Sequence, residues 1–304
     1  QSAFPALAEA EQLLEGALAL EPGSVAALSA MAMLRIQVLG DRAGGGQLLE
    51  DAVREHPSAV SCLEQLAELR FEEGRHAEAI SLYEDAIRAE PGNADLSYNL
   101  GCALASASAS AEEREAAEGS VLKPPGGGGS SPENPHLSST GLARRAKEAW
   151  EDVVAVDATH EEARYNLALL LLELGDRDEA ERHFAEVRVS NPSNAMAPYQ
   201  LALLTAARGE WENTAAYLYE VVSLEPTFAD ARARLGAMRA ESPLTRDDGL
   251  ALLEASVCAA VECEEPGQNE ATTLFLFGKV METIVGDFPC AVLAYSKAVQ
   301  CEGF

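Results

Sequence analysis

The sequence predicts an all-α fold, a solenoid of antiparallel helix pairs stacked one on the next. Three observations point there. Prolines follow amphipathic helices at a near-constant step: Pro57 to Pro91 is 34 residues, Pro192 to Pro226 is 34, and Pro22 to Pro57 is 35. Before those prolines, small and large residues recur at fixed offsets: Ala10, Leu14 and Ala17; Ala79, Tyr83 and Ala86; Ala180, Phe184 and Val187. Apolar residues make up 47% of the chain but aromatics only 6%, and alanine is abundant. That balance suits close-packed helices better than a β-sandwich.

Each element then has its own justification. Offsets of four and three place the recurring residues on one helical face. The proline stops that helix, and the next pair begins. Gly74, Gly175, Gly209 and Gly286 lie between the two helices of a pair, where a left-handed C-cap is expected. The first helix of a pair carries a large residue followed by a small one: Leu100-Gly101, Leu167-Ala168, Leu201-Ala202 and Leu235-Gly236. The small residue lets the partner helix approach closely.

This combination resembles the tetratricopeptide repeat family over nearly the whole chain: Leu-Gly or Leu-Ala, a turn glycine, then alanine, an aromatic, alanine and proline. The resemblance implies a right-handed α-solenoid, a superhelix whose concave groove is lined by the first helix of each pair. Family members serve as scaffolds, co-chaperones or cargo receptors.

The register expected for residues 1–304 is a single array. It has a half unit at 1–24 and units at about 25–59, 60–93, 94–160, 161–194, 195–228, 229–271 and 272–304. The third full unit is interrupted. Its first helix is expected to end near Ser106 and its second to begin near Leu142, with a disordered insertion at about 107–141. That stretch holds an Ala/Ser run, Pro124-Pro125, glycines from Gly126 to Gly129, and Ser131-Pro132, a weak phosphorylation motif. Pro226 to Pro266 is 40 residues, so register is poorest between Met238 and Leu250. The chain opens without methionine, and no polar capping helix follows the last pair. A piece of a longer protein is expected.

The formal net charge is -28, from 50 acidic and 22 basic side chains. Nucleic acid and anionic membrane surfaces need a positive field, so both are disfavoured as partners. The acidity reads as a self-repelling surface or as steering for a basic partner segment. No apolar run reaches the length of a membrane span, the longest being Leu167 to Leu172. Six cysteines without a C-x-x-C pair read as buried reduced thiols in an intracellular, cytoplasmic protein.

No catalytic, cofactor or metal constellation emerges, and the chain is read as a non-enzyme without a cofactor. The five histidines lack metal-ligand spacing, with His56 and His160 at helix boundaries. Cys258 and Cys263 have too few soft partners. The glycine run lacks the Lys-Ser/Thr of a phosphate loop. Thr159 followed by Glu162 is expected to be a capping box, and Trp150 and Trp211 are expected in the helix-pair core or its turn.

The most informative stripe lies on the first helices. The fifth position of successive units gives Tyr98, Tyr165 and Tyr199, and the sixth gives Asn99, Asn166 and Gln200. Tyrosine offers apolar area with a polar tip, and amides can satisfy the backbone of an extended peptide. Equally, the amides could bond the neighbouring helix and stabilise the stack. Glu64 and Glu68 add an acidic stripe one unit earlier, extended by Glu72, Asp95 and Glu162. The amides are similar to the asparagine ladders of O-linked N-acetylglucosamine transferases and peroxisomal targeting receptors. Chaperone-binding members place Lys and Arg where this chain has Glu64 and Glu68, so a chaperone-tail receptor is not expected.

The expected function is a non-catalytic interaction scaffold, binding an extended peptide or partner subunit in the concave groove. The ligand would carry basic residues, and the chain would belong to a multiprotein complex. The alternatives are the substrate-selecting arm of a larger enzyme such as a glycosyltransferase, or an architectural subunit of a large complex.

Overall fold

The structure, a computed structural model, describes residues 4–120, 138–262 and 267–301, and no strand occurs among them. The chain divides into two compact units, residues 1–170 and 171–304.

In the first unit, α1 (Phe4–Leu20) comes first and packs on the helix that follows it. It is followed by α2 (Val25–Met33) with α3 (Arg42–Glu55), α4 (Val60–Glu72) with α5 (His76–Ala89), and α6 (Ala94–Ser120) with α7 (Ser139–Val156). A π-helical turn, Leu34–Val38, closes α2. The division between units falls within α8 (Glu161–Leu174). The second unit continues with α9 (Arg177–Ser190), then α10 (Met196–Ala207) with α11 (Trp211–Leu224) and α12 (Ala229–Glu241) with α13 (Arg246–Glu262). It closes with α14 (Gln268–Val280), a π-helical turn Met281–Val285, and α15 (Phe288–Ala298).

The repeat pattern explains this layout residue by residue. The turn glycines Gly74, Gly175, Gly209 and Gly286 all have positive φ, between 73° and 91°, where a side chain would be strained. The face residues Ala79, Tyr83 and Ala86 of α5 are buried, as are Ala180, Phe184 and Val187 of α9. Phe184 is wholly buried, a burial that stabilises by roughly 2–3 kcal/mol.

The small residues act as predicted. A Cβ at Gly101 would lie 2.4 Å from Trp150 Nε1, so α6 and α7 touch through a ring resting on bare backbone. The same indole donates to the Tyr98 carbonyl at 3.3 Å.

The structure corrects several expectations. Helix α6 does not end near Ser106 but runs to Ser120, because Ala103, Leu104 and Ala111 are buried on it. Ser108 Oγ also donates to the Ser139 carbonyl at 2.8 Å. Helix α7 begins at Ser139, where the Ser138 hydroxyl accepts from Gly141 N at 3.2 Å. The Pro/Gly-rich part of the expected insertion, Pro124 to Pro132, lies outside the described residues.

Helix α14 begins at Gln268, ahead of the expected Thr272, with Gly267 N donating to the Glu270 carboxylate at 3.0 Å. Gly249, within the irregular stretch from Met238 to Leu250, crosses Gly236, which lies just before that stretch. A Cβ on Gly249 would sit 2.6 Å from the Gly236 carbonyl, so α12 and α13 meet backbone to backbone.

Helix α8 is capped by His160, not Thr159. Ala163 N donates to His160 Nδ1 at 3.2 Å, while Thr159 turns back to bond the Asp157 carboxylate at 2.6 Å. Trp150 is buried, but Trp211 is 61% exposed. Cys62 and Cys301 are buried, Cys258 is exposed, and Cys263 lies outside the described residues.

One buried ion network stands out in the first unit. Arg70 is 6% exposed and pairs with Glu50, with Glu73 at 2.8 Å and with Glu78 at 3.6 Å. It ties α3, α4 and α5 together.

Candidate functional site

The first helices of the first unit are joined by side-chain rungs. Gln65 Nε2 of α4 donates to Ser29 Oγ of α2 at 2.6 Å. Asn166 Nδ2 of α8 donates to the Tyr98 hydroxyl of α6 at 3.2 Å. In both cases the sixth position of one first helix reaches the fifth position of an earlier one. The two uses of the amides left open by the sequence are therefore divided. The Asn166 amide is engaged in the stack, whereas Asn99 makes no side-chain hydrogen bond among the described residues.

In the second unit, Tyr199 is only 9% exposed and departs from the expected groove stripe. Its hydroxyl donates to Asp230 Oδ2, which also accepts from Arg234 Nε at 2.7 Å. Its ring lies 4.8 Å from that of Phe228. Burial first, then the Asp230 carboxylate, push the Tyr199 phenol well above its ordinary value. Tyr199 is thus a packing residue, and Gln200 beside it is half-buried.

Electrostatics single out one face of the first unit. Glu64 is half-buried on α4, with Glu68 exposed on the same helix and Asp95 exposed on α6. None of the three carboxylates makes an ion pair among the described residues. Burial first, then the charges of Glu68, Asp95 and Glu90, raise the Glu64 carboxyl above the usual range. Other carboxylates of the unit do find a cation: Glu72 pairs with Arg42 at 2.6 Å, Asp51 with Arg54 at 2.6 Å, and Glu84 with Arg145. The contrast is not visible in sequence, because it depends on where arginines land.

Beside this cluster is a cavity of about 350 Å³. Gln65, Glu68, Glu72 and Arg42 line it, and the buried Gln65 Oε1 has no hydrogen-bond partner. Next along the face, Tyr98 is half-buried and its ring lies 4.8 Å from His160. Burial, then Cys102, push its phenol up to about 12, so it is neutral at physiological pH and can donate or accept. Tyr165 is also half-buried, on α8. The face therefore offers unpaired carboxylates, a free amide and two tyrosines.

A model of the tetratricopeptide repeat matches residues 37–94, 64–128 and 165–227, together just over half of the 304 residues. The chain belongs to the tetratricopeptide repeat family. Solved structures agree on the fold. A tetratricopeptide repeat protein from Parabacteroides merdae is 18% identical with a TM-score of 0.57, covering 92% of this chain and 94% of that one. YrrB, described as a tetratricopeptide protein with an unusual peptide-binding site, is 19% identical with a TM-score of 0.52. That match covers 70% of this chain and 92% of YrrB. An IFIT1 monomeric mutant solved with Gppp-AAAA is 18% identical with a TM-score of 0.53, covering 94% of this chain and 56% of that one. At such identities the likeness is one of fold. No curated protein matches the sequence.

Within this tetratricopeptide chain, no cluster of metal-ligating side chains occurs among the described residues. Nor is any described helix long and apolar enough to cross a membrane.

Proposed function

We propose that this chain is a protein-interaction module whose first unit docks an extended, basic segment on the face formed by α4, α6 and α8. The observation that carries the reading is Glu64, held half-buried among Glu68, Asp95 and Glu90, none of which makes an ion pair among the described residues. Carboxylates in mutual repulsion raise the energy of the free protein, and a partner's Lys or Arg relieves it. Asn99, with its amide unengaged, and the Tyr98 and Tyr165 rings add backbone and apolar contacts. Tetratricopeptide repeats commonly serve as protein-binding scaffolds, and the fold is shared with YrrB, which has a peptide-binding site.

The test is affinity capture from a cell extract with the full chain and with an Asn99→Ala, Glu68→Gln variant, both checked for helicity by circular dichroism. A partner held by the intact protein and lost from the folded variant supports the face. A partner retained equally by both moves the contact elsewhere and removes the proposal.

A further inference from the structure

The second unit holds a different kind of opening. A cavity of about 200 Å³ lies among α10, α11, α12 and α14. Ala202, Thr214, Leu218 and Val280 on its lining are nearly inaccessible to solvent, with Met238 and Ile284 half-exposed on its walls. Trp211, expected in the helix-pair core or its turn, stands at the start of α11 and lines the cavity while remaining 61% exposed. A large exposed aromatic beside an apolar hollow leaves a contact surface open to a ligand. The volume suits one side chain: an apolar cavity of about 150 Å³ accepts a benzene ring.

The charged lining narrows the ligand. Arg234 is engaged by Asp230 at 2.7 Å. Lys279, one of only four lysines in the chain, is exposed and makes no ion pair among the described residues. Glu241 lines the same cavity and is exposed and likewise unpaired. A ligand carboxylate beside the apolar group would meet Lys279 directly, with the Arg234 guanidinium as a second positive group on the lining. A ligand amine would meet only Glu241, against both cations.

We infer that this cavity is an anchor site for a partner segment presenting one aromatic or bulky aliphatic side chain next to a carboxylate. That the occupant is a protein segment rests on the interaction-module reading. The site itself uses none of the residues of the first unit, so the two can fail separately.

The test uses three small probes on the full chain: 3-phenylpropionate, its amide, and 3-phenylpropylamine. Methyl NMR follows Met238 and Ile284. Probes of this size are expected to bind with dissociation constants on the order of 1 mM. The expected result is saturable shifts at these methyls, with the carboxylate about threefold tighter than the amide and the amine weakest. Lys279→Met should reduce the carboxylate preference while leaving amide binding intact. Ala237→Phe should fill the cavity and weaken all three about tenfold or more. Trp211→Ala removes an exposed wall without touching the core, so a loss there keeps the test valid if Ala237→Phe does not fold. Absence of saturable shifts, an unchanged preference in Lys279→Met, or tighter binding of the amine would each overturn the inference.

Discussion

Replacing Gly101 with alanine should destabilise the first unit, although alanine is the better helix former. The added Cβ would lie 2.4 Å from Trp150 Nε1, 2.6 Å from Cδ1 and 2.8 Å from Cε2. The indole is 4% exposed and cannot swing into solvent without unpacking. It must retreat by about 1 Å, and overpacking of this kind costs about 1–3 kcal/mol. Its 3.3 Å bond to the Tyr98 carbonyl is strained or lost, at about 1 kcal/mol. Helix propensity returns about 1 kcal/mol. The net expectation is about 1–3 kcal/mol of destabilisation, read from urea unfolding by far-ultraviolet circular dichroism. In a Trp150→Leu background the ring is gone, so the same Gly101→Ala change should turn stabilising by about 0.5–1 kcal/mol. A neutral or stabilising effect in the wild-type chain, or the same sign in both backgrounds, would refute the contact.

Three further predictions follow from the same geometry. Tyr199→Phe leaves the buried Asp230 carboxylate, whose Oδ1 already lacks a partner, with Arg234 alone; a loss of about 1–3 kcal/mol in denaturant unfolding is expected. Arg70→Met keeps packing volume but removes the ion network, and Glu50 and Glu78 are 40% and 52% exposed and can rehydrate. The cost should be about 1–2 kcal/mol, below that of breaking a fully buried pair. For Glu73, burial acts to raise the pKa, but hydrogen bonds and charge from Arg70 and Arg75 prevail and lower it. Its stabilisation is therefore present above the unfolded pKa and lost as pH falls through the folded one, so the Arg70→Met deficit should shrink in acid. Glu64 has the opposite sign: its raised folded pKa means it subtracts stability at neutral pH, a deficit that closes as pH falls through that pKa. Glu64→Gln should accordingly raise Tm at neutral pH and leave it unchanged below about pH 4; a lowered Tm at neutral pH would contradict the crowding of carboxylates.

The fold was legible because its determinants are local. Gly74 and Gly209 mark left-handed turns, and Gly101 marks a close approach, each announced by its own residue type and its place in the step. Where the step breaks, local signals pointed the wrong way. The Ala/Ser run after Ser106 looked like loop, yet Ala111 and Ser108 bury against α7, so tertiary contact extended the helix. Thr159 had the residue type of a cap, but His160 stands one place closer to the helix and its Nδ1 takes the bond. The site was less legible. Sequence grouped Tyr98, Tyr165 and Tyr199 by position, but it could not see that Asp230 draws Tyr199 into the core. Nor could it separate Glu64, without a counter-ion, from Glu84, which Arg145 neutralises from across 61 positions. The Trp211 cavity had no sequence signal beyond a tryptophan at a helix start.

On this reading the unpaired carboxylates of the first unit select a basic partner segment. The most direct measurement is a fluorescence-anisotropy titration of the full chain with a short labelled peptide carrying arginine at alternate positions. It is repeated with a Glu64→Lys, Glu68→Lys variant and with an Asp247→Lys, Glu254→Lys control that changes net charge equally in the second unit. The account predicts that the first variant weakens binding about tenfold or more while the control changes it by less than about threefold. Equal weakening by both variants would show that only the overall charge of -28 attracts the peptide, and would contradict the assignment of this face.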